Sequence, residues 1–346
     1  MMQLVDQEQI NWTKFEQFLR ENIENVPPGE LQVKKFTEGY SNQTYLIQIG
    51  DWEAVMRRPP FGEIPPKAHD MEREYRLLKK FNRVYPLAPK PYVYGEEESI
   101  MNRHFYVMEK KEGVVIDDSL PPSFSDAKKY GPIISESMIQ SLVQLQAIDC
   151  EKEGLMDIGK PEGYLERQVR GWMKRFERSK TDNVITPTSV ERWLLEHLPE
   201  TRETRIVHND FKLNNLVFDA SDPSKVNGVL DWELSTIGDP MTDVGAAVSY
   251  WIQPTDPDLG ITAVTNQKGF YNRREFVEAY ALASGRDMSD ITYYVTFGFY
   301  KLAAILQQIY YRYDKGALQD ERFKYLYQSI NNLLEMAELT KNNRLL

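Results

Sequence analysis

The chain has 346 residues, 42 basic against 52 acidic side chains, a formal net charge of −10 and 41% hydrophobic content. That length can bury a full core as one large domain or two lobes, and the composition is that of a globular protein. The acidic balance argues against a general nucleic-acid binder, the single Cys150 excludes an intrachain disulfide or a cysteine zinc cluster, and no apolar run reaches the ~18 residues of a membrane span.

The opening MMQLVDQEQINW lacks the basic-then-apolar pattern of a signal peptide, so a reducing cytoplasm is the expected compartment. Residues 12–23 place Trp12, Phe15, Phe18, Leu19 and Ile23 on one helical face, with Asn11 as the N-cap. Strand-like runs follow at 31–37, 44–49 and 53–57, then a helix over about 69–83 and two more strands at 91–95 and 104–109. After KKEG (110–113) the pattern turns helical, with helices expected over 125–148, 162–180, 188–197, 274–284, 290–313 and 320–340. Between 206 and 240, short apolar runs alternate with polar turns. The expected organisation is a sheet-rich lobe over 1–109, a connector over 110–113 and a larger helical lobe over 114–346. A cleft between lobes is a common place for a ligand.

The chemistry concentrates in IVHNDFKLNNLVFD (206–219), where one histidine, two aspartates and three asparagines lie between apolar residues. Buried polar groups are costly unless paired, so the crowding needs a reason. His208, Asp210 and Asn215 read as H-x-D-x-x-x-x-N, and Asp231 ends the strand-like VNGVL sixteen residues later. Phosphoryl transfer needs one carboxylate near the attacking hydroxyl and oxygen ligands for magnesium on the β- and γ-phosphates. Asp210 fits the base, and Asn215 and Asp231 fit the metal. The bland alternative is a set of loop residues satisfying backbone groups. The following GDPMTD (238–243) weighs against it; there Asp239 is expected to cap the helix that Pro240 opens. His208 is expected to orient the loop.

This constellation resembles the aminoglycoside phosphotransferase and choline kinase-like family, whose motifs run VHGDxxxxN and then hxxhhDWE. The resemblance extends from about residue 30 to 250. It implies an α+β, two-lobed protein-kinase-like fold, with a small antiparallel-sheet lobe and a larger mainly helical one. The implied cofactors are ATP (or GTP) and Mg2+. By the same resemblance, Ser41 and Asn42 in FTEGYSNQTYLI cover the phosphates, and Arg57 in AVMR takes the place of the phosphate-binding lysine. Glu74 is its partner, with Glu72 as the competing choice. In FYVMEKKEG the Glu109 carbonyl and Lys111 amide would receive adenine. Position 209 is asparagine where the family often has glycine, and Asn214 stands where aspartate is frequent.

GVLDWELSTIGDPMTDVGAAVSYW (228–251) is similar to one branch, the kinase-like domains fused before acyl-CoA dehydrogenases, which implies a hydroxyacyl-CoA acceptor. Independently, Arg167, Arg170, Lys174 and Arg178 share one face of a helix whose other face carries Val169, Trp172, Met173 and Phe176. Arg170, Trp172 and Lys174 are the candidate acceptor-binding residues; a solvated basic face over a buried apolar one is the competing description. YYVTFGFY (293–300) either lines an acceptor pocket or belongs to the core. The leading expectation is a small-molecule kinase acting on a hydroxylated acceptor, without nucleic acid or membrane, as a monomer or homodimer. An aminoglycoside or amino-alcohol kinase is the alternative within the class, and a nucleotide-binding regulator without transfer activity is the alternative outside it. The absence of G-x-S-x-G speaks against an α/β-hydrolase.

Overall fold

A computed structural model describes residues 10–36, 42–60 and 70–345. The chain divides into two compact units, one formed by residues 1–112 with 227–233 and the other by 113–226 with 234–346.

The first unit opens with α1 (Trp12–Asn22), which starts where the Asn11 side chain accepts a hydrogen bond from Lys14 N at 3.1 Å. Five strands follow: β1 (Leu31–Lys35), β2 (Gln43–Ile49), β3 (Trp52–Arg58), β4 (Pro91–Gly95) and β5 (Phe105–Glu109). They form one antiparallel sheet in the order β1-β2-β3-β5-β4. Phe15, Phe18 and Leu19 of α1 join Tyr45, Ile47, Ile49 and Phe105 in a single apolar cluster, so the helix covers one sheet face. Strand β3 is central and covered on both sides, which explains why its last five residues are all buried. Between β3 and β4, α2 (Met71–Val84) begins where Asp70 accepts from Arg73 N at 2.9 Å, and it packs on β4 and β5.

In the second unit β6 (Val114–Val115) precedes the helices α3 (Ala127–Gln146), α4 (Tyr164–Arg178) and α5 (Thr188–Glu196). Two short strands, β7 (Arg205–Val207) and β8 (Leu216–Phe218), bracket the polar loop; β8 pairs antiparallel with β6. The chain then contributes β9 (Val226–Val229) and the residues up to 233 largely to the first unit, where Val229 N donates to Leu87 O at 2.8 Å. It returns as β10 (Thr236–Gly238), antiparallel to β7, and continues into α6 (Met241–Tyr250), α7 (Arg273–Ser284), α8 (Ile291–Asp314) and α9 (Leu326–Lys341).

Helix α8 is the axis of this unit and packs against α4, α6 and α9. Its crossing with α6 depends on two glycines: a Cβ on Gly245 would stand 2.2 Å from the Tyr294 carbonyl oxygen, and one on Gly298 would stand 2.5 Å from that of Gly245. The last helix starts later than the expected 320. Asp320 instead accepts from Arg322 N at 3.0 Å and caps a separate 3-10 turn, Glu321–Phe323. Among the described residues no helix is long and apolar enough to cross a membrane.

Candidate active site

The loop between β7 and β8 is anchored by apolar side chains and held by a dense set of hydrogen bonds. Phe211 is buried and meets the His208 ring edge-on, while Leu213 and Leu216 are buried on either side of Asn215. His208 is fully buried, and its Nδ1 accepts from Asp210 N at 3.3 Å. The Asp243 carboxylate, from the first turn of α6, accepts from two successive backbone amides, His208 N at 2.6 Å and Asn209 N at 2.7 Å. Burial nevertheless pushes the Asp243 carboxyl up to about 6, against the lowering effect of those two bonds.

Asn209 has φ +68°, the left-handed region that glycine favours and asparagine tolerates. All its polar atoms are engaged. Beyond its N–H, the Nδ2 donates to Leu234 O at 3.0 Å, Oδ1 accepts from the Tyr164 hydroxyl at 3.0 Å, and its carbonyl accepts from Lys301 Nζ at 2.6 Å.

Asp210 is thereby fixed with its carboxylate among donors. Asn215 Nδ2 reaches Asp210 Oδ2 at 3.0 Å and Asp210 O at 2.8 Å, and Lys212 Nζ pairs with Oδ2 at 3.1 Å. The two residues expected from H-x-D-x-x-x-x-N are therefore in contact. Asn215 uses its amide nitrogen in this bond, so its oxygen stays available to a cation. Asn214 donates to Asp117 Oδ1 at 3.0 Å instead.

Asn42, Arg57, Glu74, Glu109, Lys111 and Asp231 lie in the first unit. Arg57 is buried; its Nη1 contacts Glu74 Oε1 at 2.5 Å and its Nη2 contacts Asp231 Oδ1 at 3.3 Å. Burial alone would lower the Arg57 pKa, but the charges of Glu74, Asp231 and Glu233 hold it well above its usual value. Burial raises the Glu74 carboxyl despite the arginine beside it. Glu72 is exposed and pairs with Arg76 at 3.7 Å, so the partner of Arg57 is Glu74. Arg58 points the other way along the pleat, to Tyr45 Oη at 2.8 Å.

Asp231 has φ +65° at the turn after β9, and next to it Trp232 is buried with its Nε1 on Val229 O at 2.7 Å. Glu233 accepts from Asn42 Nδ2 at 2.9 Å, tying the hairpin residue to this turn. Ser41 lies outside the described residues. Glu109 and Lys111 pair with each other through their side chains at 2.9 Å. The Lys111 N–H donates to no acceptor among the described residues.

On α4, Arg170 is exposed and paired with Glu166 one turn away at 2.8 Å, and Lys174 is exposed. Trp172 is half-buried, with Arg175 over its ring at 4.7 Å and Lys301 at 5.7 Å. The aromatic run 293–300 is core: Tyr293, Tyr294 and Tyr300 are buried with their hydroxyls on Leu194 O, Asp239 and Glu191. Asp239 also accepts from Met241 N at 3.0 Å, but the cap of α6 is Pro240, one position after the residue expected to cap it, because the helix opens at Met241 rather than at the proline.

Sequence reasoning missed the contacts of Lys212, Asp243 and Lys301. The second acid of GDPMTD and the D-x-K spacing were visible signals for the first two. For Lys301 the signal was a lone lysine in the apolar run TFGFYKLAAIL.

Residues 32–285 match the model of the phosphotransferase enzyme family. Acyl-CoA dehydrogenase family member 10 of Mus musculus is 32% identical over 305 residues, which cover 86% of this chain and 28% of that protein. A crystal structure from Ralstonia eutropha, provisionally described as an aminoglycoside phosphotransferase, is 30% identical with a TM-score of 0.77, covering 95% of this chain and 98% of that one. A thermostable mutant of another aminoglycoside phosphotransferase, in ternary complex with ADP and hygromycin B, is 16% identical with a TM-score of 0.60, covering 92% of this chain and 97% of that one. These likenesses show the α+β kinase-like fold expected from the sequence. The chain spans about a third of the length of the curated relatives it matches.

Proposed function

This chain belongs to the phosphotransferase enzyme family, and we propose that it moves the γ-phosphate of ATP (or GTP) to a hydroxyl of a small acyl-CoA-type acceptor. The observation that carries this reading is the state of Asp210: a carboxylate fixed by Asn215 and Lys212 on a loop whose backbone is pinned by Asp243. A base held at one geometry, with cations around it, suits both deprotonating an alcohol and neutralising the phosphoryl group it attacks.

In this reading Asp210 takes the hydroxyl proton as the alcohol oxygen bonds to the γ-phosphorus and the bond to the ADP oxygen breaks. Lys212, already on Asp210, is placed to follow the transferred charge. Arg57, oriented by Glu74, faces phosphate oxygens, and Asn42 and Ser41 cover them from the hairpin. The main chain at Glu109 and Lys111 receives the base, in keeping with side chains that are occupied with each other.

Magnesium fits the donors present. In this reading Asn215 Oδ1 and the Asp231 carboxylate, both hard oxygens, are its protein ligands. That pattern suits an ion held by one or two side chains together with phosphates. When bound it would neutralise charge on the β- and γ-phosphates.

The acceptor class rests on two supports. The 32%-identical relative is named an acyl-CoA dehydrogenase family member. The basic side chains Lys212, Lys301 and Arg175 lie around Asp210 and Trp172, which suits an anionic or carbonyl-bearing acceptor over a polycationic aminoglycoside. In this reading the exposed Arg170 and Lys174 of α4 meet the phosphates of coenzyme A rather than the reacting end.

Asp210→Asn keeps the shape and removes the base. Phosphate transfer to hydroxyacyl-CoA is expected to fall by ~10²–10⁴-fold, with nucleotide affinity changed little. Retained turnover in a direct phosphate-transfer assay would overturn the assignment. Loss of nucleotide binding would show that Asp210 serves folding instead.

A further inference from the structure

Lys301 is 9% exposed and sits in a helix where Phe299, Tyr300, Leu302 and Ala303 are all buried. A buried ammonium is costly unless its donors are matched. It carries three N–H donors, and among the described residues it makes one hydrogen bond, to Asn209 O, and no ion pair. The two carboxylates whose charges reach it, Asp210 and Asp243, are engaged elsewhere: Asp210 with Asn215 and Lys212, Asp243 with two backbone amides. One side of the ammonium is closed by the Trp172 ring at 5.7 Å. What is left is donor capacity with no hydrogen-bond acceptor among the described residues, beside the residue that precedes the base.

We propose that Lys301 grips an oxygen of the acceptor itself, a carbonyl or carboxylate only a few bonds from the hydroxyl that receives the phosphate. This rests on the acyl-acceptor reading above and makes Lys301 a specificity determinant for it. Placement supports this choice of group. The ammonium is bonded to the carbonyl of Asn209, one peptide from Asp210, so the group it meets must belong to the reacting end of the acceptor. The phosphates of coenzyme A lie a full pantetheine away. Both Lys301 and Arg175 lie over the Trp172 ring, so the charge gathered there is of the sign that attracts a thioester or carboxylate oxygen and repels an amine.

The alternative, that Lys301 only clamps the loop, is separated by removing the carbonyl oxygen and the lysine in turn. Binding of 4-hydroxybutyryl-CoA and of its thioether analogue S-(4-hydroxybutyl)-CoA would be measured by calorimetry on the full chain in the presence of ADP, together with free 4-hydroxybutyrate. In the unaltered protein the thioester is expected to bind about tenfold or more tighter than the thioether, the effect of one hydrogen bond to a charged group. In Lys301→Met that ratio should fall close to one, and Lys301→Arg should restore part of it. A matching loss of 4-hydroxybutyrate binding in Lys301→Met would support the same grip on a free carboxylate. An unchanged ratio in Lys301→Met overturns the grip and leaves the acyl-CoA reading standing. A ratio near one in the unaltered protein does the same without any variant, so a misfolded mutant would not rescue the idea. Failure of both CoA compounds to bind the unaltered protein overturns the acyl-CoA reading and the grip with it.

Discussion

At Asn209 the backbone conformation and the side chain answer different needs. The φ of +68° is one that glycine adopts readily and that asparagine tolerates better than most side chains. The side chain then adds two bonds that glycine lacks, to Leu234 O and from the Tyr164 hydroxyl. Asn209→Ala is therefore expected to destabilise by about 1–2 kcal/mol for the left-handed backbone and roughly 1 kcal/mol for each lost bond. Asn209→Gly should suffer only the second part and keep more activity than the alanine variant. Chemical unfolding and kcat of the two variants check this, and an alanine variant as stable as the glycine one would refute the strain argument. The same residue marks a boundary of legibility. Asp210 and Asn215 were recognisable because their chemistry is compressed into six positions. What holds them was not, since Asp243, Lys301 and Tyr164 arrive from three helices distant in the chain.

Elements with one covered face were readable in the same way. Strand β2 alternates, with Tyr45, Ile47 and Ile49 buried between partly exposed neighbours, and α1 shows Phe15, Phe18 and Leu19 at helical spacing. Helix α8 was readable as a helix but not as an axis, because an element buried all round gives no stripe to say which neighbour lies where. The decisive residues for its placement are glycines, which carry no pattern at all. At the crossing of α6 with α8, Gly245 lets one helix approach the other closely enough that both Asp243 and Lys301 reach the loop at 208–209. Gly245→Ala would put a methyl 2.2 Å from the Tyr294 carbonyl oxygen. Backbone cannot swing aside as a side-chain tip can, so the helices must part. The expected cost is about 1–3 kcal/mol of overpacking, with kcat/KM for the acceptor falling as Lys301 withdraws. Gly171→Ala on α4 is the contrast, since its new methyl would meet only the end of the Arg175 side chain at 3.3 Å. There a gain of up to ~1 kcal/mol in helix propensity should remain. Equal destabilisation of the two variants would contradict the close crossing.

Across the whole molecule, charge opposes folding more as the pH rises, for two separable reasons. One is the net charge of −10, a long-range repulsion that salt screens. The other is that Glu74, Glu191, Asp239 and Asp243 are all pushed up by burial, Asp243 to about 6 from 3.8. Between those two values the folded chain binds more protons than the unfolded one, so the Asp243 contribution to stability falls as pH rises through that window. The carboxyls held low, Asp222, Asp287 and Asp320, lie at the surface and offer little to set against this. Urea midpoints measured from pH 4.5 to 7.5 should therefore decline, and part of the decline should survive in 1 M salt, where surface repulsion is quenched and buried groups are not. Asp243→Asn should lower stability overall, because an amide turns one of the two accepting oxygens into an NH2 donor facing a backbone N–H, and it should flatten the surviving slope. If high salt abolished the decline in the unaltered protein, the buried carboxyls would be fully matched by their hydrogen bonds, and the loop they support would be held without electrostatic cost.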